Sequence, residues 1–357
     1  MAYTSFTIEA WIYSMTSYTG DSSIFGQCQC STCANQCLYF IVRGGHLYAG
    51  FIFNDIGGST ALNAAVWYHV AFVYNADTQQ QILYVNGIQD AVKSNAIPYQ
   101  GTTGNIWIGS TSASLSPNYF NGYIDNVKVT TRAKSASEIL QDASLIAYYS
   151  FDLPSSNADR GPNGLSGSSV NTAVVVGRVN QAMHFTGVSS YFQAYGFYQA
   201  GYGVNLGQPF SISMWINPLS IVSSAFVQQS TTQTGGSCLN MIGIYSATSL
   251  TGQLVAQTYG YPVIFGPFIT INTWTHFSWT YSSTNGARLY VNGILFGSTG
   301  SYTVQNSGVI TWLQIGYNFA CASSGSINNG PYRGAIDEIY IHNRELIQTD
   351  VTALVNP

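Results

Sequence analysis

The sequence predicts an all-β chain built from two antiparallel β-sandwich modules of the jelly-roll kind, the first lacking the strands with which the second begins. Three observations carry this prediction: a composition biased to strand formers, a long internal repeat, and helical patterning confined to one short segment at the end of each copy. At 357 residues the chain is too long for one ordinary domain and comfortable for two. Hydrophobic residues make up 46% and aromatics 14%, with 26 tyrosines, so material for two cores is ample. Charged residues are only 7%, against roughly 25% in ordinary soluble domains. The surface must therefore be built from Ser, Thr, Gln, Asn, Gly and Tyr, which hydrogen-bond well and repel little. A net charge of −4 without a basic stripe excludes nucleic acid and anionic membranes as expected partners. No apolar run approaches the roughly 18 residues of a membrane span.

The repeat can be followed element by element. Phe6-Thr7-Ile8-Glu9-Ala10-Trp11-Ile12-Tyr13 matches Phe210-Ser211-Ile212-Ser213-Met214-Trp215-Ile216-Asn217. In each, every second residue is apolar (Phe6, Ile8, Ala10 and Ile12; Phe210, Ile212, Met214 and Ile216), the pattern of a half-buried strand. Trp67-Tyr68-His69-Val70-Ala71-Phe72-Val73-Tyr74 matches Trp274-Thr275-His276-Phe277-Ser278-Trp279-Thr280-Tyr281. Leu83-Tyr84-Val85-Asn86-Gly87 matches Leu289-Tyr290-Val291-Asn292-Gly293, a strand running into Asn-Gly, the turn pair that accepts positive φ at both positions. Ile106-Trp107-Ile108-Gly109 matches Leu313-Gln314-Ile315-Gly316, and Gly122 to Val129 matches Gly334 to Ile341. The offset grows from 204 (Phe6 to Phe210) to 212 (Gly122 to Gly334), as loop insertions would make it. Helical character is expected only over Ser135 to Asp142 and Glu345 to Leu354, and short strands with turn signals elsewhere read as a sandwich or jelly roll.

These motifs, in this order and over nearly the whole chain, resemble the laminin-G-like jelly-roll domains of the concanavalin A-like lectin/glucanase superfamily. The resemblance is specific for fold and weak for ligand, because that superfamily includes adhesion modules, lectins, pentraxin-like proteins and glycosidases. Its modules usually open with a strand of the type L-V-A-Y-W-x-F-D, a polar loop, and G-x-A-x-x-F-x-G. Leu145 to Asp152, Asp159 to Gly164 and Val179 to Gly187 supply all three ahead of Phe210, whereas only five residues precede Phe6. The expected modules are therefore residues 1–144, incomplete at the N-terminal side, and residues 145–357, complete. The opening segment is expected to contribute Tyr148, Phe151, Met183, Phe185 and Phe192 to the second core. Five such side chains stabilise by roughly 10 kcal/mol, comparable with the whole net stability of a domain, about 5–15 kcal/mol. The first module is accordingly expected to be completed from outside residues 1–144, by an upstream segment or another subunit, with unpaired edges along Phe6 to Tyr13 and Tyr123 to Val129. The alternative is a shortened sandwich closed by Met1 to Ser5 and the cysteine-bearing loop.

The residues offer little for catalysis. Related glucanases carry Glu-x-Asp-x-Glu on one strand, and a carboxylate pair must flank the scissile bond. The four glutamates here are Glu9, Glu138, Glu338 and Glu345, and the adjacent Asp337 and Glu338 would point to opposite strand faces. His69 and His276 repeat after a Trp, but no nucleophile motif accompanies them, so structural, hydrogen-bonded histidines are expected. Because some members of the superfamily use calcium, the resemblance leaves Ca²⁺ open at Asp125 and Asp337. No Asp-rich loop is present, however, and bonding of turn amides is the expected role there and at Asp152 and Asp159. No other cofactor is expected. The aromatic stretches Tyr191 to Tyr202 and Tyr259 to Phe268 are candidate sugar-stacking platforms.

Six cysteines complete the reading. Cys28, Cys30, Cys33 and Cys37 are close enough to hold Zn²⁺, although two local disulfides suit a charge-poor, strand-rich chain better. Cys238 and Cys321 stand alone in the second module. An extracellular setting follows from even cysteine parity. The opening Met1-Ala2-Tyr3-Thr4-Ser5-Phe6 lacks the basic end and apolar block of a secretory signal, so this setting implies a signal already removed or a longer parent chain. No N-x-Ser/Thr acceptor occurs despite abundant Asn, Ser and Thr; in a eukaryotic secreted protein this points to a surface that must pack closely, and in a bacterial one it carries no meaning. Two functions fit: a non-catalytic extracellular binding or adhesion protein for glycans or proteins, or a structural subunit of a self-assembling fibre or sheet whose edges are completed between subunits. Non-reducing peptide mapping should recover Cys238 joined to Cys321; a free thiol at either, or a link to the Cys28–Cys37 cluster, would contradict the pairing.

Overall fold

The structure, a computed structural model, describes residues 1–111, 119–197, 207–236, 238–248, 251–304, 309–317, 327 and 330–356. The regular structure of the described residues is nearly all strand, and the chain separates into two compact units, Met1–Ser144 and Leu145–Pro357. Unit 1 contains β1 (Phe6–Ser14), β2 (Asp21–Cys28), β3 (Cys37–Arg43), β4 (His46–Phe51), β5 (Asn54–Gly57), β6 (Trp67–Asn75), β7 (Gln80–Val85), β8 (Ile88–Lys93), β9 (Ile106–Ile108), β10 (Gly122–Thr130) and α1 (Ala136–Ser144). Its two antiparallel sheets run β10-β1-β6-β7-β8 and β5-β4-β3-β2-β9. Between them lie the inward rows of β1 (Phe6, Ile8, Ala10, Ile12), β3 (Leu38, Phe40, Val42) and β6 (Val70, Phe72, Tyr74), all fully buried.

Unit 2 begins with β11 (Leu145–Tyr149), β12 (Ser168–Val170), β13 (Thr172–Val176), β14 (Gln181–Phe185) and β15 (Tyr191–Phe197). It then repeats the order of unit 1 in β16 (Phe210–Pro218), β17 (Ser224–Ser230), β18 (Cys238–Thr248), β19 (Thr251–Thr258), β20 (Val263–Ile269), β21 (Thr275–Ser282), β22 (Gly286–Val291), β23 (Ile294–Ser298), β24 (Thr311–Ile315), β25 (Gly334–His342) and α2 (Gln348–Val355). One sheet runs β13-β14-β25-β16-β21-β22-β23, with β11 also on β25, and the other β12-β15-β24-β17-β18-β19-β20. The five additional strands thus lie on one side of the sandwich, against β24 and β25.

The duplication extends to single hydrogen bonds. Asn86 and Gly87 turn at φ 49° and 79°, Asn292 and Gly293 at 48° and 84°, values that suit Asn-Gly. In both turns the Asn side chain accepts from the histidine amide, Asn86 Oδ1 from His69 and Asn292 Oδ1 from His276. The Thr7 hydroxyl donates to Arg132 O and accepts from Lys134 N, and Ser211 does the same with Arg344 O and Leu346 N. Each short helix has a carboxylate accepting from the amide of the residue just before it, Ser135 or Ile347, and pairing with an arginine, Glu138 with Arg132 and Asp350 with Arg344. Such a carboxylate also complements the positive helix N-terminus. The helices start a residue or more later than their sequence pattern indicates, because these caps hold the preceding residues extended.

Two expectations require correction. Tyr148 is not a core residue: alternation along β11 turns Ala147 and Tyr149 inward and leaves Tyr148 outward, stacked on Tyr340 at 4.3 Å. Phe151, Met183, Phe185 and Phe192 are buried in the second core. Phe6 to Tyr13 is not an open edge either, since β1 pairs with β6 on one side and β10 on the other. The cysteine-rich loop holds two disulfides, Cys28–Cys37 across β2 and β3 and Cys30–Cys33 within the loop, so these thiols are not zinc ligands. Cys238 is disulfide-bonded, whereas Cys321 lies outside the described residues.

Each helix covers the outer face of its sheet by a different means. Val351 of α2 packs with Leu346 and Tyr290, whereas Ile139 of α1 packs with Ala71, Val73 and Tyr84. In unit 1 the positions matching Ser213 and Leu346 are Glu9 and Lys134, which form a buried ion pair at 2.5 Å. Lys134 also bonds Asp142 of α1. Burial pushes the Glu9 carboxyl above its usual range, and Lys134 opposes that shift. Lys134→Met should therefore destabilise unit 1 by about 3–5 kcal/mol, by leaving a buried carboxylate uncompensated. The double variant Glu9→Ser with Lys134→Leu, copying unit 2, should recover most of the loss in denaturant titrations.

Candidate functional site

The outward residues of β1 are Thr7, Glu9, Trp11 and Tyr13, and register decides what stands beside each. Tyr13 lies directly opposite Trp67 of β6 and Tyr123 of β10. The three rings form a ladder across the sheet, with centroids 5.5 Å apart for Tyr13–Trp67, 5.8 Å for Tyr13–Tyr123 and 6.4 Å for Trp67–Tyr123, the last stacked. Trp67 is 40% exposed and Tyr123 56%. Beside the ladder, Ser14 donates to Thr16 O, and the Asn121 amide donates to the Thr16 hydroxyl. Unit 2 has Asn217 and Ala335 where unit 1 has Tyr13 and Tyr123, so the fold itself does not require the ladder.

Of the stretches that the sequence marked for stacking, Tyr191 to Phe197 is β15, which buries Phe192, Ala194 and Phe197 and turns Tyr195 outward. Tyr195 pairs with Trp312 of β24 at 4.8 Å, a smaller exposed platform. Residues 198–202 lie outside the described residues. In Tyr259 to Phe268, Tyr261 packs on Tyr302, while Phe265 meets Tyr245 edge-on and Phe268 is exposed. The ladder of Tyr13, Trp67 and Tyr123 was missed, although each ring stands at an outward position of a strand that the repeat had already identified.

The carboxylates are held for structural work. Asp337 Oδ2 accepts from Arg178 N and Val179 N at 2.8 and 2.9 Å, and Oδ1 from Glu338 N. Burial still pushes the Asp337 carboxyl up to about 7. Glu338 accepts from the Tyr148 and Tyr340 hydroxyls. Asp152 accepts from Gln181 N, and Asp159 from the amides of Tyr148, Gly161 and Leu165. Asp125 accepts from Asn126 N and is exposed. Calcium requires converging oxygens, whereas the oxygens of Asp159, Asp337 and Glu338 face N–H and O–H donors. Among the described residues no three His, Cys, Asp or Glu side chains converge. The residues do not fit Ca²⁺.

The histidine rings depart from expectation. His69 places Nε2 3.6 Å from Glu9 Oε1, and neither ring nitrogen of His276 has a hydrogen-bond partner among the described residues. Both rings pack edge-on against a tryptophan, Trp11 and Trp215. Burial holds His276 neutral, pushing it down to about 3 from 6.5. A group depressed on folding stabilises above its unfolded value and loses that contribution as pH falls toward the folded one. Unit 2 should therefore lose stability from His276 between pH 6.5 and 3, by up to about 1.4 kcal/mol per pH unit. Asp337, raised on folding, opposes this, because its contribution is full below pH 3.8 and is lost as pH rises through about 7. His276→Phe should flatten the acid limb of urea-unfolding stability measured from pH 7 to pH 4; an unchanged slope would refute the assignment.

Comparison with known proteins agrees with this architecture. Residues 1–140 and 192–352 match the laminin G family described as Concanavalin A-like lectin/glucanases superfamily. No curated protein matches the sequence. Among solved structures, the chain is similar to domain 4 of AbnA, a GH43 extracellular arabinanase from Geobacillus stearothermophilus, in complex with arabinotriose. Identity is 20%, coverage 59% of this chain and 98% of that one, and the TM-score 0.44. The binding domain of Paraclostridial Mosquitocidal Protein 1 is 16% identical, with 60% and 52% coverage and a TM-score of 0.43; this chain thus spans about half its length. Domains LG4-5 of the mouse laminin alpha1 chain are 12% identical over 96% of this chain and 85% of that one, with a TM-score of 0.29. With two matched stretches that together cover most of its length, the chain belongs to the concanavalin A-like lectin/glucanase superfamily, as a tandem pair of laminin-G-like modules.

Proposed function

We propose that this is a non-catalytic extracellular binding protein whose first module takes neutral glycans on the Tyr13–Trp67–Tyr123 ladder. The observation that carries the reading is the ladder itself: three aromatic rings in cross-strand register, two of them exposed, at positions where the sister module dispenses with two of the three. An aromatic face carries negative charge density and attracts the C–H face of a sugar ring, while the low charge of this surface favours uncharged hydroxyls over acidic groups. The neighbouring exposed Thr16 and Asn121 offer donors and acceptors for those hydroxyls. A binding role agrees with the occupation of Asp337 and Glu338 by backbone amides and tyrosine hydroxyls, an arrangement far from the paired acid and nucleophile of a glycosidase. The disulfides of the first module accord with an extracellular setting.

The full chain should bind soluble neutral oligosaccharides of glucose, galactose, xylose or arabinose in calorimetric titration and return them intact on chromatography. Trp67→Ala, at an exposed position, should weaken binding about tenfold or more, a loss of about 1.4 kcal/mol. Tyr195→Ala, in the second module, should leave binding unchanged. Equal binding by wild type and the Trp67 variant, or hydrolysis of the sugars, would refute the proposal.

A further inference from the structure

The two modules differ most on the side bounded by β9 and β10. In unit 2 the inward residues of the corresponding strands, Leu313, Ile315, Ile336, Ile339 and Ile341, are at most 1% exposed. Their counterparts in unit 1 are Ile106, Ile108, Ile124, Val127 and Val129. Ile106 is 55% exposed, Ile108 56% and Val129 42%, while Ile124 and Val127 are partly buried. Pairing shows that these side chains face the core. Ile108 stands opposite buried Phe25, Val129 opposite Ile8 and Ile124 opposite Ile12. Among the described residues, no strand pairs with the outer edge of β9 or β10.

Unit 2 shows what such an edge accepts. β14 pairs with β25 through Met183 and Phe185, β15 pairs with β24 through Phe192 and Ala194, and their apolar side chains fill the space between the sheets. The turn leading into β14 is held from the other side, since Asp337 accepts from the amides of Arg178 and Val179 while the Arg178 guanidinium lies 4.7 Å above Trp215. Unit 1 retains both receiving groups. Asp125 matches Asp337, down to the bond from the following amide, and Trp11 matches Trp215, down to its histidine neighbour. Asp125 is exposed, and no donor among the described residues meets its second oxygen.

We propose that the β9–β10 side of unit 1 is an interaction surface for an extended polypeptide segment supplied from outside that unit. The segment carries bulky apolar side chains at alternate positions and a turn that presents two successive N–H groups and a cation to Asp125 and Trp11. A carboxylate with one oxygen that meets no donor among the described residues, and an aromatic face that meets no cation there, make the surface complementary to such a turn. Unpaired strand edges supply the backbone hydrogen bonds. A second copy of the chain fits less well. Its segment β11 to β15 is already paired within its own unit 2, and edge-to-edge contact brings no aromatic side chains to fill the space between the sheets.

A synthetic peptide spanning Thr172 to Phe197 serves as the probe, fluorescently labelled and titrated with the full chain. One-to-one binding is expected, weakened at least tenfold by Ile108→Asp or Val129→Asp and severalfold by Asp125→Ala, with a scrambled peptide inert. The substituted side chains are solvent-exposed, and unchanged thermal melting would confirm that the variants fold. No binding, or binding indifferent to these substitutions, would overturn the proposal, the latter by placing the peptide in unit 2. A concentration-dependent dimer in sedimentation, abolished by Ile108→Asp and not dissociated by the peptide, would overturn it in favour of a second copy.

Discussion

Everything in these modules depends on one constraint: a strand buried on one face delivers alternate residues to the core and the rest to the outside. On β1, Phe6, Ile8, Ala10 and Ile12 enter a dry interior shared with β3 and β6. The residues between them, Glu9, Trp11 and Tyr13, are thereby lined up with outward residues of β6 and β10. The aromatic ladder, the Trp–His contacts and the ion pair beneath α1 are all consequences of that alternation. A one-residue slip would exchange core and surface along the entire strand, so the inward row fixes the outer surface as firmly as it fixes the interior.

The same constraint explains what was legible in the sequence. Strand periodicity, the Asn-Gly turns and the repeated motifs identified the elements and their order, because each is a local signal repeated twice. The polar helix signals were legible for the same reason, with Glu138 and Asp350 in capping positions. Cross-strand neighbours were not legible, because they depend on register. Tyr13, Trp67 and Tyr123 are far apart in sequence and meet only once β1 is placed between β6 and β10. Tyr148 and Tyr149 present the inverse difficulty: two adjacent tyrosines differ only in phase, and the pairing of β11 with β25 decides which is buried. The rings of His69 and His276 were expected to be hydrogen-bonded, yet their backbone amides carry the turn bond shared by both modules while the rings pack edge-on with tryptophan.

Comparison of the two copies separates residues the fold needs from residues it tolerates. Thr7 and Ser211, Arg132 and Arg344, and Asn86 and Asn292 perform matching tasks in both modules and are parts of the scaffold. Glu9 and Lys134 stand where unit 2 has a serine and a leucine, so the buried charges are one of two solutions to seating a helix on the sheet. Buried ion pairs rarely stabilise more than apolar side chains of similar volume. Their retention on the outer face, next to Trp11 and His69, sets unit 1 apart where its surface also carries the ladder.

β10 connects the two features peculiar to unit 1. Its outward Tyr123 completes the ladder, while its inward Ile124 and Val129 border the uncovered side of the core. An edge strand is held by one neighbour rather than two, and local stability follows the number of hydrogen bonds and buried contacts that anchor a segment. A segment paired to the outer edge of β10 would therefore hold Tyr123 more firmly against Tyr13 and Trp67. Preorganising a binding surface raises affinity by reducing the ordering left to the ligand. In unit 2, where β25 is flanked on both sides, the ladder positions hold Asn217 and Ala335, and no such coupling arises. The proposed completion of the sandwich and the proposed recognition at its surface would thus converge on a single strand of the first module.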